Sequence, residues 1–117
     1  YSGANNGIYL VRNFVLTEIK PDKQPIGLYD NPQPFKKQKL KLQKGDTVYL
    51  YTDGYADQFG GPSPNGKKFK YQPFKDLILQ VQNKPMHEQR DILNETFESW
   101  RGDFEQIDDV CVIGFRV

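Results

Sequence analysis

Short apolar runs separated by polar breaks fill the first half of the chain, and their spacing assigns the elements. "IYLV" at 8–11 and "VLTEI" at 15–19 flank the polar pair Arg12-Asn13, which predicts an antiparallel hairpin. Pro21, Pro25, Pro32 and Pro34, with Gly27 and Asn31, then fill a stretch with turn formers, expected as irregular loop. Beyond it Lys39 and Lys41 alternate with Leu40 and Leu42, Lys44-Gly45-Asp46 reads as a turn, and "TVYLYT" at 47–52 reads as a strand, so a second hairpin is expected. "FGGPSPNGKK" at 59–68 has the composition of a surface loop.

The period of the apolar positions then lengthens. Behind Pro73 in a first turn, Phe74, Leu77, Ile78 and Val81 fall at i, i+3, i+4 and i+7, one helical stripe. Pro85 opens a second helix in which Met86, Leu93, Phe97 and Trp100 share a face, and Gly102 supplies its stop. "DDVCVIGFRV" at 108–117 is a nearly continuous apolar run, the pattern of a central strand covered on both faces. Hairpin, hairpin, two helices, strand is an α+β order: a mostly antiparallel sheet packed against two helices. No internal repeat is visible.

Length and composition narrow this picture. At 117 residues the chain is one domain by size. Sixteen Lys and Arg against fifteen Asp and Glu give a net charge of +1, without the basic excess of nucleic-acid binders, so no nucleic-acid partner is expected. Cys111 is the one cysteine; it cannot form an internal disulfide, and its apolar setting predicts a buried, inert thiol in the reducing cytoplasm. No run approaches the roughly 20 apolar residues of a spanning helix, and "YSGANN" is not a signal peptide, so this segment is expected to make no membrane contact. The chain starts on Tyr1 and turn-like residues leading straight into a strand, which suggests a piece of something longer.

Several stretches that invite chemistry fall to simpler readings. "GPSPNGKK" at 61–68 approaches a phosphate-binding P-loop, but Lys68 stands where a Ser or Thr would meet Mg²⁺, and two prolines remove amide donors. "YTDGYAD" lacks the alternating oxygen ligands of an EF-hand. His87, the only histidine, sits in a polar first turn and reads as a surface residue. Lys36, Lys37, Lys39, Lys41 and Lys44 read as the solvent side of a strand, with docking of an acidic partner as the alternative.

Two acidic pairs remain, Asp53-Gly54 after "TVYLYT" and Asp108-Asp109 before "VCVIGF". Taken singly, the first can be a hairpin turn and the second a polar loop. Taken together, an Asp after one strand and an Asp before an antiparallel neighbour can converge. Carboxylates so gathered repel one another, and a divalent cation relieves that repulsion. Oxygen ligands, with one His and one Cys in the chain, point to Mg²⁺ or Mn²⁺ rather than Zn²⁺.

"LKLQKGDTVYLYTDGYADQ", "DDVCVIGFRV" and the opening "SGANNGIYLVR" with "KPDKQPIG" resemble, over essentially the whole chain, the C-terminal part of the stage II sporulation protein E-type serine phosphatases, members of the metal-dependent PPM (type 2C-like) superfamily. The resemblance implies that residues 1–117 are the C-terminal portion of a single phosphatase domain, a sandwich half and partial PPM fold. It implies Asp53 and Asp108 as catalytic metal ligands, with Gly54 letting the backbone turn beside the ion and Asp109 as a weaker ligand. Asp57 and Asn5 are implied around that site; Ala4 stands where relatives carry a His before the Asn. Two Mn²⁺ or Mg²⁺ ions are implied for the complete domain, hydrolysing phosphoserine or phosphothreonine on a phosphorylated regulatory protein, an anti-anti-sigma factor in this family. The family's other Asp-Gly metal element would precede Tyr1, so the 117 residues alone are expected to be inactive. The remainder of the domain or an N-terminal sensor is an expected partner, and so is a second copy through open sheet edge. The alternative is a non-catalytic, phosphatase-like module for protein interaction.

Overall fold

β-Branched and aromatic residues build the sheet where the sequence places them. In the computed structural model, which describes residues 1–117, β1 (Ile8–Arg12), β2 (Val15–Ile19), β3 (Thr47–Tyr51) and β6 (Val112–Arg116) form one sheet in the order β2-β1-β3-β6. The β1–β2 hairpin pairs Ile8 with Ile19 and Arg12 with Val15, and β3 pairs antiparallel with β1, Tyr9 opposite Tyr49. The turn falls on Asn13 and Phe14, with φ of 50° and 61°, the two positive angles of a type I′ turn. Ile8, Tyr9, Val11, Val48, Tyr49 and Tyr51 are buried, and the Tyr9 and Tyr51 rings stack 4.4 Å apart. Apart from Val112 at the start of β6, these strands belong to the first of two compact units, Tyr1–Tyr51 with Ile113–Val117.

An ion pair closes the turn before β3. Arg12 donates from Nε and Nη2 to the two carboxylate oxygens of Asp46 at 2.9 and 2.7 Å, and the Gln43 N–H reaches the same carboxylate at 2.8 Å. The guanidinium beside it, then the Gln43 amide, pull the Asp46 carboxyl down from 3.8 to about 2. The pair's contribution is complete above the ordinary carboxylate range and is lost as pH falls through about 2. Urea melts between pH 4 and pH 2, roughly the interval between unfolded and folded pKa, are expected to show a steeper loss for wild type than for Asp46→Asn. Parallel curves would contradict this.

Three expectations give way here. Residues 39–42 form no strand, so the second hairpin is absent: both sides of β3 are taken, by β1 and β6, and the backbone of the lysine-rich segment bonds elsewhere, Gln38 N–H to Tyr1 O at 2.8 Å and Lys41 O to Arg12 Nη2 at 3.1 Å. The last strand is not central but an edge, and Ile113, Phe115 and Val117 stay exposed. Cys111, one residue before that edge strand, is exposed rather than buried.

The second unit, Thr52–Val112, holds α1 (Gly54–Asp57), the two-residue strands β4 (Phe59–Gly60) and β5 (Lys67–Lys68), α2 (Tyr71–Gln80) and α3 (Met86–Arg101). The stripe Phe74, Leu77, Ile78 and Val81 is buried as the spacing requires, and so are Leu93 and Phe97. Pro85 caps α3 and Gly102, at φ 53°, ends it. The loop at 59–68 carries a short antiparallel ladder, Phe59 to Lys68 and Gly60 to Lys67. The result is a mixed α and β fold with an antiparallel sheet and few helices. No helix is long and apolar enough to cross a membrane.

Candidate functional site

Asp53 is not the tip of a hairpin. It is the N-cap of α1 in helical conformation, φ −69° and ψ −17°; its carbonyl accepts the Asp57 N–H at 2.9 Å, and its side chain makes no capping bond. The carboxylate is thus released from the usual duty of an N-cap Asp. It accepts a hydrogen bond at 2.6 Å from the Tyr71 hydroxyl instead.

Gly54 is buried and has no positive φ, so turn geometry does not explain the glycine. Space does. A Cβ built there would overlap the carbonyl oxygen of Asp109 and stand 2.8 Å from its carbon and 3.0 Å from Val110 Cγ2. On the other side of Asp53, the Thr52 hydroxyl donates to Asp109 O at 2.9 Å and accepts the Cys111 N–H at 3.0 Å, while the Thr52 N–H reaches Cys111 O at 3.0 Å. The residues before and after Asp53 therefore both touch the 109–111 backbone, although more than fifty positions separate them in sequence. Asp108 turns its Oδ1 onto the Asp109 N–H at 2.8 Å, and the Gln106 amide bonds Asp108 O at 3.0 Å. Asp108 and Asp109 are exposed and Asp53 half-buried.

An aromatic cluster fixes this corner from below. Tyr55 stacks on Phe74 at 4.7 Å and meets Phe69 and Phe97 at 5.4 and 5.2 Å. Burial pushes its phenol well above the ordinary range, so it stays protonated and donates to Leu93 O at 2.7 Å. A four-residue helix has little stability of its own; α1 holds its place through Tyr55.

Of the other residues singled out in the sequence, Asp57 is half-buried and pairs with Lys68 Nζ at 3.6 Å, a partly exposed pair of small energetic weight. Asn5 belongs to the first unit, where it adopts φ 63° and its N–H bonds Asp22 O at 2.8 Å. Thr52 and Tyr71 were not singled out. Thr52 adjoins the acidic pair and its hydroxyl was the available sign; Tyr71 carried none, being 18 positions from the carboxylate it touches.

Asp53, Asp108 and Asp109 offer hard oxygen donors, the chemistry that suits Mg²⁺ or Mn²⁺. No group of three or more His, Cys, Asp or Glu side chains is placed to hold a metal. The donors match such an ion in kind, and they are not gathered in the number that would hold one.

Comparison with known proteins agrees with this outline. The model of the family "Stage II sporulation protein E (SpoIIE)" matches residues 1–117. The solved SiaA-PP2C domain of Pseudomonas aeruginosa is similar at 29% identity with a TM-score of 0.88, covering 99% of this chain and 45% of that one. The phosphatase domain of the cell fate determinant SpoIIE from Bacillus subtilis aligns with a TM-score of 0.64 at 18% identity, over 97% of this chain and 48% of that one. Its crystal form without domain swapping gives 0.61 and 18%, over 95% and 46%. At that identity the Bacillus structures speak to the fold alone. The chain spans less than half the length of these solved chains. No curated protein matches it. With its whole length inside the family model and its fold inside a PP2C domain, the chain belongs to the stage II sporulation protein E (SpoIIE) family.

Proposed function

We propose that the chain supplies part of the active site of a Mn²⁺- or Mg²⁺-dependent protein serine/threonine phosphatase, acting in the cytoplasm on a phosphorylated regulatory protein such as an anti-anti-sigma factor. The observation that supports it best is the contact of Gly54 with the Asp109 carbonyl, which keeps two acidic segments distant in sequence at one corner. Asp53 and Asp108 would be the ligands, with Asp109 beside them and further ligands, for two ions in all, supplied by the rest of the domain. The Thr52 hydroxyl keeps the Asp109 and Cys111 backbone against the residue before Asp53. Asp57 would act at one remove, through α1. When bound, the ions lower the pKa of water for attack on phosphorus and offset charge on the phosphoryl oxygens. The exposed edge of β6 is where the remainder of the domain, or a second copy, would add.

The test compares p-nitrophenyl phosphate hydrolysis, in Mn²⁺, by the complete domain and by residues 1–117 alone. Turnover by the complete domain and none by the 117 residues is the expected result. Turnover by the shorter chain would overturn the assignment of a partial site. The second reading is a phosphatase-like interaction module without turnover of its own. A complete domain inert in both Mn²⁺ and Mg²⁺ would support that reading.

A further inference from the structure

We propose that Tyr71 is a positioning residue for the metal ligand Asp53: its hydroxyl holds one carboxylate oxygen so that the other is presented to the cation. The inference rests on the metal-dependent reading of the acidic corner and goes beyond it, because Tyr71 is neither acidic nor near Asp53 in sequence.

The geometry is built to deliver this hydroxyl. Tyr71 is the first residue of α2, and the two residues before it are tied to the helix that Asp53 caps: Lys70 N–H bonds Ala56 O at 2.7 Å, and Phe69 N–H bonds Gln58 O at 2.9 Å. The Phe69 ring is held edge-on against Tyr55 at 5.4 Å and Trp100 at 5.6 Å. Lys70 itself sits at φ 76° and ψ 161°, a conformation that a side-chain-bearing residue adopts at a cost. That cost is met where the chain turns to bring Tyr71 over Asp53. The 2.6 Å separation is that of a charge-assisted O–H to carboxylate bond. It engages Oδ1 and leaves Oδ2 outside the bond. Because the Asp53 side chain makes no capping bond to α1, the tyrosine supplies the restraint that the helix does not. A phenol suits this place: it donates one hydrogen bond without adding a charge that would compete with a cation. Partners of this kind, which orient a ligand without touching the metal, change metal affinity by about 10–100-fold.

The experiment measures Mn²⁺ affinity by electron paramagnetic resonance on the full-length protein, for wild type, Tyr71→Phe and Asp53→Asn, with thermal melting of each. Tyr71→Phe is expected to weaken Mn²⁺ binding by about tenfold, to leave the melting temperature at the wild-type value, and to recover wild-type kcat at saturating Mn²⁺. A merely structural role would lower the melting temperature without that metal-dependent recovery, and would overturn the proposal. If Asp53→Asn weakens Mn²⁺ binding and Tyr71→Phe does not, the positioning role fails while the metal site stands. If neither substitution changes affinity, the metal-dependent reading fails, and the proposal with it.

Discussion

Asp53→Asn in the full-length protein is expected to reduce Mn²⁺ affinity and Mn²⁺-dependent phosphatase turnover by about 100-fold or more, since removing a ligand costs at least as much as removing its outer partner. The substitution keeps the shape of the side chain and an oxygen that still accepts the Tyr71 hydroxyl, so the fold loses little. The bond weakens from charge-assisted to neutral, a change of about 1 kcal/mol. What disappears is the negative charge, the property a divalent cation needs. Asp53 is half-buried, its side chain takes no part in capping α1, and its hydrogen bond from Tyr71 asks for an acceptor oxygen rather than a full charge. Mn²⁺ titration and p-nitrophenyl phosphate hydrolysis check the expectation, and wild-type values for both would remove Asp53 from the site.

Gly54→Ala acts through shape alone and is expected to be the more damaging to the fold. The new Cβ meets backbone, the Asp109 carbonyl, which cannot swing aside as a flexible side chain would. Either α1 withdraws or the 108–110 segment moves, at a cost of about 1–3 kcal/mol. Each movement separates the acidic segments, so Mn²⁺ affinity falls together with stability. Gly60→Ala is the matched control, because its Cβ would overlap the Trp100 carbonyl. It is expected to lower the melting temperature and spare Mn²⁺ affinity. Equal Mn²⁺ losses in the two variants would show that general destabilisation, rather than the acidic corner, is being measured.

The sequence made local elements readable and left their surroundings dark. The β1–β2 hairpin and both long helices follow from periodicity, because an amphipathic stripe such as Phe74, Leu77, Ile78 and Val81 has to be buried wherever it lies. The alternation at 39–42 carried the same kind of signal and failed, since a strand needs an unoccupied neighbour and β3 had none to give. "VCVIGFRV" showed that a strand could be covered on two faces without saying what would cover it, and so an exposed edge was read as a centre. The helix α1 leaves no periodic signal, because four residues are too few for a period; its anchor is Tyr55 in an aromatic cluster drawn from α2, α3 and Phe69.

At the site, the acidic residues were legible as chemistry and their convergence could be expected from neighbouring strands, but what holds them together was not legible. Their nearness depends on the Thr52 bonds to Asp109 and Cys111, 57 and 59 positions away, and on a glycine chosen for clearance rather than for a turn. Such contacts leave no trace in spacing. Tyr71 illustrates the same limit: an unremarkable aromatic at a helix start becomes a partner of Asp53 only when the 69–70 backbone is tied to α1.

The central claim is that Asp53 and Asp108 serve one cation. A double-mutant cycle of Asp53→Asn and Asp108→Asn, read out as Mn²⁺ affinity of the full-length protein, tests it most directly. Ligands of one ion are expected to couple by about 1 kcal/mol or more, the second substitution costing far less once the first has been made. Losses that add to within about 0.5 kcal/mol would contradict the claim, for they would mean two carboxylates that never share an ion.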